Sequence, residues 1–240
     1  MSLEQSPTTV LAPRSRLRSV AGPESAVDRV TAEIRRGVLN GTLAAGSSFS
    51  IADLSAQLGV SHIPVRESLR RLEAQGLVEL RPGRSAMVNP LDRNELRAIY
   101  RLRQDIEPSV AARACPLLTD DDLQEAERLL AEHIRGDRDT DTLWEVHREF
   151  HLALLRPALT SWDLRILDQL WHASDRYTRV LFESYELDDD ERKRREVAHR
   201  VIIDAARSRS GLELKRAITE HLVENEVACL EWLAALGTSD

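Results

Sequence analysis

The sequence predicts a mainly α-helical protein, an N-terminal winged helix-turn-helix followed by an antiparallel all-helical bundle of about six helices. Three observations predict it. Apolar residues recur at three- and four-residue steps along most of the chain, the spacing of amphipathic helices. Only Leu77–Leu80 and Ala86–Val88, around Pro82-Gly83-Arg84, read instead as two short strands about a turn. Beyond Leu91 no strand pattern or repeat occurs, and the breaks at 116–119 and 208–211 are short enough to favour antiparallel neighbours.

The elements follow in order. Residues 1–21 mix prolines, Ser and Thr with Arg14, Arg16 and Arg18 and suggest a flexible basic arm. From Ser25 to Asn40, Val27, Val30, Ile34 and Val38 mark one helical face, and Gly41 ends it. Ser50 is placed to cap a second helix running to Gly59, with Asp53 reaching back as in a capping box. Ser61 is placed to cap a third helix, to about Gln75, in which Pro64 is tolerated because first-turn N–H groups have no intrahelical partner. Val65, Leu69 and Leu72 form its buried stripe, while Arg66, Arg70 and Arg71 project from other faces. The helix-turn-helix domain is expected over residues 22–90, and a second domain over 91–237 with helices near 92–115, 119–135, 140–156, 160–185, 188–208 and 211–236.

Composition narrows the function. With 240 residues, two modest units are expected, and 42% hydrophobic against 30% charged residues is the balance of a soluble chain with a real core. Apolar runs are short and the N-terminus lacks a charged-then-apolar signal, so a cytoplasmic protein without a membrane partner is expected. Cys115 and Cys229 stand far apart without a CxxC partner, which argues against a disulfide framework or thiolate metal knuckle and leaves them as buried small hydrophobes. The net charge of −7 hides an asymmetry: residues 1–90 carry 11 Arg against 8 acids, and residues 91–240 carry 22 basic side chains against 32 acids. A basic head can meet phosphate, and an acidic body would repel it.

The run Leu54-Ser-Ala-Gln-Leu-Gly-Val-Ser61, then Pro64-Val-Arg-Glu-Ser-Leu-Arg-Arg-Leu-Glu73 and Gly76-Leu-Val78, closely resembles the GntR family of bacterial transcription regulators over residues 25–90. The all-helical remainder resembles its FadR branch, which carries a ligand-binding domain called FCD. The resemblance implies double-stranded operator DNA as a partner, with Arg66 as a DNA contact. The residue chemistry agrees, since an arginine near the exposed start of a recognition helix can pair with guanine or phosphate. Arg70 on the same face and the wing tip Gly83-Arg84 are further candidates. His62, also a candidate DNA contact, stands where the family often carries arginine, and Ala52 replaces a basic residue that some members use.

Four of the seven histidines fall on inward faces of three expected helices. His147 and His151 share a face with Leu143, Phe150 and Leu154; His199 lies with Ile202, Ile203 and Ala206; His221 with Leu214, Ala217 and Ile218. One inward histidine is ordinarily a core residue bonded to a carbonyl, but an HxxxH pair with two more on other helices points to a divalent transition metal such as zinc or nickel. By resemblance, His151, His199 and His221 match the family's three histidine ligands and His147 stands where aspartate is common. His133 and His172 are expected to be surface or packing residues. Arg103 shares a stripe with Leu96, Ile99, Ile106 and Val110, and two roles stay open for it: a pair with Glu107 four residues on, or an anchor for an effector carboxylate.

These readings combine into a dimeric, ligand-responsive DNA-binding regulator, expected to be a repressor, that senses a small carboxylate in a metal-containing bundle. The alternative from another class is a metal-dependent enzyme using the four-histidine site. It would need a general base, and Glu149, between the two histidines of one helix, is expected to project away from their face.

Overall fold

A computed structural model describes residues 25–83, 85–135, 140–184 and 189–235; the expected arm over 1–21 and Arg84 at the wing tip lie outside the described residues. The N-terminal part contains α1 (Ala26–Leu39), β1 (Ser48–Ser50), α2 (Ile51–Leu58), α3 (His62–Ala74), β2 (Val78–Arg81) and β3 (Ser85–Val88). Helices α1 and α3 cross face to face over a core that includes Val30, Ile34, Val65, Leu69 and Leu72, closed by Leu77, Ala86 and Val88 from the sheet side. Start and stop signals act locally. Ser25 and Asp28 form a reciprocal capping box on α1, and Ser50 Oγ accepts from Asp53 N at 3.0 Å, one half of the capping box expected on α2.

Two local expectations are corrected. The sheet has three strands rather than two, in the order β1-β3-β2, with β1 antiparallel to β3 through Ser48 opposite Met87. Three residues are too few to display an alternating pattern, so β1 is set by its neighbour and not by its own sequence. Ser61 occupies the N-cap of α3 but makes no capping hydrogen bond through its side chain. An N-cap oxygen accepts from the second or third helical N–H, and here the third residue is Pro64, which has none.

The remainder, among the described residues, is α4 (Arg93–Ala114), α5 (Asp120–Arg135), α6 (Thr140–Leu155), α7 (Ser161–Ser184), α8 (Asp189–Arg207) and α9 (Gly211–Ala235), six helices joined by short connections. Helix α4 packs most extensively on α9, α5 packs on α6, and α7 lies against α4. Leu96, Phe150, Leu154, Leu167, Ile202, Leu214 and Leu222 are among the side chains that fill the core, and Cys115 and Cys229 are buried free thiols within it. Among the described residues no helix is long and apolar enough to cross a membrane.

The head meets the bundle through α1 and α7. Arg35 of α1 donates from Nη2 to Gln75 Oε1 (2.8 Å) and from Nη1 to His172 Nε2 of α7 (3.2 Å). His172, read from the sequence as a surface or packing residue, is instead a contact between the two parts. Below it, the Arg176 guanidinium pairs with Glu95, and Tyr177 Oη donates to the same carboxylate at 2.5 Å, which fixes α7 to the first turn of α4.

One glycine shows how close the helices come. A Cβ at Gly211, the first residue of α9, would lie 2.5 Å from the carbonyl oxygen of Ala112 in α4. Helix propensity alone favours alanine over glycine by at most about 1 kcal/mol, whereas forcing a backbone apart costs typically about 1–3 kcal/mol. The clash wins. Gly211→Ala is therefore expected to lower the unfolding free energy by roughly 1–2 kcal/mol, read as an earlier urea midpoint; an unchanged or later midpoint would show that α4 and α9 yield at this crossing.

Candidate metal centre and nucleic-acid interface

All six bundle helices line one cavity of about 310 Å³. Helix α6 presents His147 and His151 one turn apart, α8 presents His199 and α9 presents His221, and their candidate donor atoms lie within 4.8 Å of one another. The sequence expectation for these four residues is met in position: each lies where an apolar stripe turns inward, beside Phe150, Ile202, Ile203 and Ile218, all buried. His151, His199 and His221 are nearly sealed from solvent, and His147 lies at the half-open side.

The nitrogen geometry tests whether a cation fits. His199 Nδ1 lies 2.7 Å from the carbonyl of Arg195, so that nitrogen carries the proton and Nε2 presents a lone pair. His147 Nε2 sits 2.9 Å from His199 Nε2 and 3.2 Å from His151 Nε2. A single proton on His147 cannot serve both contacts well, so these nitrogens are poorly satisfied by each other. A divalent ion accepted by all of them removes the conflict. The carbonyl bond behind His199 is also the kind of support that orients a ligand ring, and Asn225 Nδ2 bonds His221 Nε2 at 3.0 Å. The donor set fits a transition metal.

Burial sets the protonation. It pushes His199 down to about 4, and it holds His147, His151 and His221 well below the ordinary range, helped by the neighbouring rings and, for His151 and His221, by Arg103. All four are neutral at neutral pH, the state a metal ligand requires. His133 of α5 belongs to the same group of rings. Its centroid is 4.9 Å from that of His147, its Nδ1 is 3.0 Å from Leu143 O, and burial pushes it to about 4 as well. The sequence reading left it outside because nothing in the sequence states that α5 packs on α6.

Of the two roles considered for Arg103, the geometry shows the pair with Glu107 and sets the guanidinium at the cavity wall. Nε donates to Glu107 Oε1 at 2.6 Å and Nη1 to Ser174 Oγ at 3.1 Å, yet the guanidinium also lines the cavity. Arg148, next to His147 in sequence, lines it too, and donates from Nη1 to His172 Nε2 (3.1 Å). Glu149 is exposed and paired with Arg156 on the outer face. Glu149 is therefore no base for the enzyme alternative, and the acids that line the cavity are Asp175 and Glu224.

On the head, α3 turns Val65, Ser68, Leu69 and Leu72 inward and leaves His62, Ile63, Arg66, Glu67 and Arg70 exposed. Arg71 is held by Asp28 at 2.7 Å and belongs to the packing of α1 on α3. Gly83 forms the exposed turn between β2 and β3 at φ +92°, a conformation that side chains rarely adopt, and no atom lies within 4 Å of where its Cβ would be. Backbone at this tip can approach a phosphate closely.

A winged helix-turn-helix head followed by an all-helical domain defines a class of two-part DNA-binding regulators. Residues 26–88 match the gntR family of bacterial regulatory proteins, and residues 98–224 match the FCD domain. The chain is 30% identical over 195 residues to the HTH-type transcriptional repressor RspR of Escherichia coli K12, covering 80% of this chain and 83% of that one. It is 26% identical over 205 residues to the galactonate operon transcriptional repressor of the same organism, covering 77% and 88%. Its fold superposes on E. coli McbR/YncC with a TM-score of 0.73 over 88% of this chain and 99% of that chain, at 23% identity. The protein belongs to the GntR family and carries an FCD domain; it is a DNA-binding transcriptional regulator and not an enzyme.

The buried imidazoles make stability depend on pH with a definite sign. Their folded values lie below the unfolded value near 6.5, so the unfolded chain takes up protons first as pH falls. Stability from these groups is complete above about pH 6.5 and is lost on the way down towards the folded values, about 4 for His133 and His199. Chelator-treated protein is expected to melt at a constant temperature from about pH 8 to 7 and at falling temperatures between about pH 6.5 and 5, above the range in which carboxylates titrate. Calorimetry showing no fall in that window would contradict the buried, neutral assignment.

Proposed function

We propose that the protein is a cytoplasmic, homodimeric transcriptional repressor whose head (residues 22–90) binds operator DNA and whose helical domain (residues 91–237) holds a divalent ion and a small carboxylate effector. The observation that carries the reading is the convergence of His147, His151, His199 and His221 beside Arg103 in one cavity. When bound, the ion supplies an electrophilic anchor for a carboxylate oxygen. Neutral ligands leave its full double charge in place, and Arg103, fixed by Glu107 and Ser174, offers a second anchor of fitting geometry. Repression is supported by two relatives named as repressors, and a carboxylate by one of them being named for galactonate, a hydroxylated carboxylate. A dimer is supported by the size of α3, which spans only a few base pairs, so that two heads on a symmetric site are needed for useful specificity.

The link from cavity to head runs through His172. Its Nδ1 lies 2.6 Å from Asp168 O and donates there, which leaves one lone pair at Nε2 for two guanidinium donors, Arg148 from the cavity and Arg35 from the head. Burial keeps the imidazole neutral, so it accepts rather than repels. Arg35 Nε is buried without a hydrogen-bond partner, so the head contact is incompletely satisfied and is cheap to change. An anion that draws Arg148 inward changes how that lone pair is shared, and with it the hold on α1. Coupling requires such a difference between two states.

Four outcomes test this reading. Purified, never-chelated protein is expected to carry about one divalent ion per chain, to melt lower after chelation, and to lose the ion in His151→Ala/His221→Ala. Metal-free protein with no thermal shift on adding zinc, nickel or manganese would remove the metal. His147→Asp is expected to keep the ion but to bind an organic acid less tightly, because the site's charge falls by one. Arg66→Ala is expected to weaken operator binding by about 1–3 kcal/mol at fixed salt without unfolding the protein; unchanged mobility-shift affinity would exclude that contact. Arg35→Ala is expected to keep operator binding but to bring the change in operator affinity caused by the strongest-shifting acid of a panel close to onefold, where about 5-fold or more is ordinary for a coupled pair. An undiminished response would break the proposed link.

A further inference from the structure

Ile63 is the most exposed large apolar side chain among the described residues, at 80%. It is the second residue of α3 and contributes nothing to the head's core, which takes Val65, Leu69 and Leu72 from the opposite face of the same helix. Its neighbours at three-, four- and seven-residue steps are Arg66, Glu67 and Arg70, and with His62 these side chains bound one shallow depression of about 270 Å³. The exposed face of α3 is thus a polar, arginine-bearing stripe with one aliphatic group at its leading end. The isoleucine takes no part in the head's core, so its aliphatic surface faces whatever α3 meets.

DNA offers that side chain a single kind of partner. Isoleucine has no donor or acceptor, and of the groups presented in the major groove only the C5-methyl of thymine is apolar. Resting on the assignment of α3 to operator DNA, we infer that Ile63 is a specificity-determining residue that reads one thymine methyl group in each half-site. Ile63 and Arg66 are separated by about 4.5 Å along the helix axis, against about 3.4 Å per base step. The thymine therefore lies within about two base pairs of the base or phosphate met by Arg66. Glu67 on the same stripe adds an acceptor, which suits the amino group of cytosine or adenine and not the O6 and N7 of guanine.

The experiment uses the full-length protein and an operator selected by it from a random-sequence duplex pool. Each thymine of a half-site is replaced in turn by deoxyuridine, which removes the methyl and leaves every hydrogen bond, and binding is measured at one salt concentration. One replacement per half-site is expected to weaken binding about fourfold, the effect of one methyl left unburied, with the others near neutral. Ile63→Ala is expected to bind the two operators equally, and Ile63→Val to keep part of the discrimination; both sit on the surface and leave the core intact. Equal binding of every uridine operator by the wild type, or discrimination surviving in Ile63→Ala, overturns the role of Ile63 while binding itself stands. If no duplex is enriched, the assignment of α3 to DNA falls and the inference with it.

Discussion

The cavity depends on one buried ion pair. Glu107 is 1% exposed and accepts from Arg103 Nε at 2.6 Å and from Trp171 Nε1 at 3.0 Å, so one carboxylate ties the middle of α4 to α7 while it neutralises the guanidinium beneath the histidines. Such a pair adds little net stability, because desolvating two charges offsets their attraction. What it adds is position. Removing either partner strands a buried charge at a cost of about 3–5 kcal/mol, so Arg103 is held in place at the cavity wall. The histidines follow the same rule from the other side, their rings set by the carbonyl of Arg195 and by Asn225.

The charge of the chain is divided in the same sense. A head of net positive charge is joined to a strongly acidic body through α1 and α7. Arg35, Arg148 and His172 make the most polar part of that join, where two cations share a neutral acceptor. Like charges facing one lone pair form a contact that small displacements can shift. Around Arg176, Tyr177 and Glu95, where one carboxylate meets both donors, the packing of α7 on α4 has no such slack.

How much of this was legible beforehand follows from what each feature requires. Helices with a 3.6-residue stripe declare themselves, and so do histidines that interrupt such a stripe; His147, His151, His199 and His221 were therefore placed together from sequence. Features set by a partner element were not. The strand β1 exists because β3 offers it an edge, His133 reaches the cavity because α5 lies on α6, and His172 meets Arg35 because α1 lies on α7. The missing Ser61 cap was legible in principle, since Pro64 three residues on removes the donor. The GntR resemblance supplied the recognition helix, and only the structure shows that Ile63 on it is left uncovered.

The electrostatics of the cavity also limit what could fill it. The four central imidazoles are neutral, and Arg103 is balanced by Glu107, so the side chains at the point of convergence supply little net charge of their own. Burial also raises the pKa of Asp175, which lines the same cavity. On the proposed reading, attraction for a carboxylate at that point therefore rests chiefly on the ion, with Arg103 orienting the anion and Arg148 on the cavity wall adding its charge. An acid in place of His147, the arrangement common in the family, would cancel one of the ion's two charges. The histidine keeps both, and so favours a dianionic ligand over a monoanionic one, because the second charge is otherwise left unmatched in a buried site.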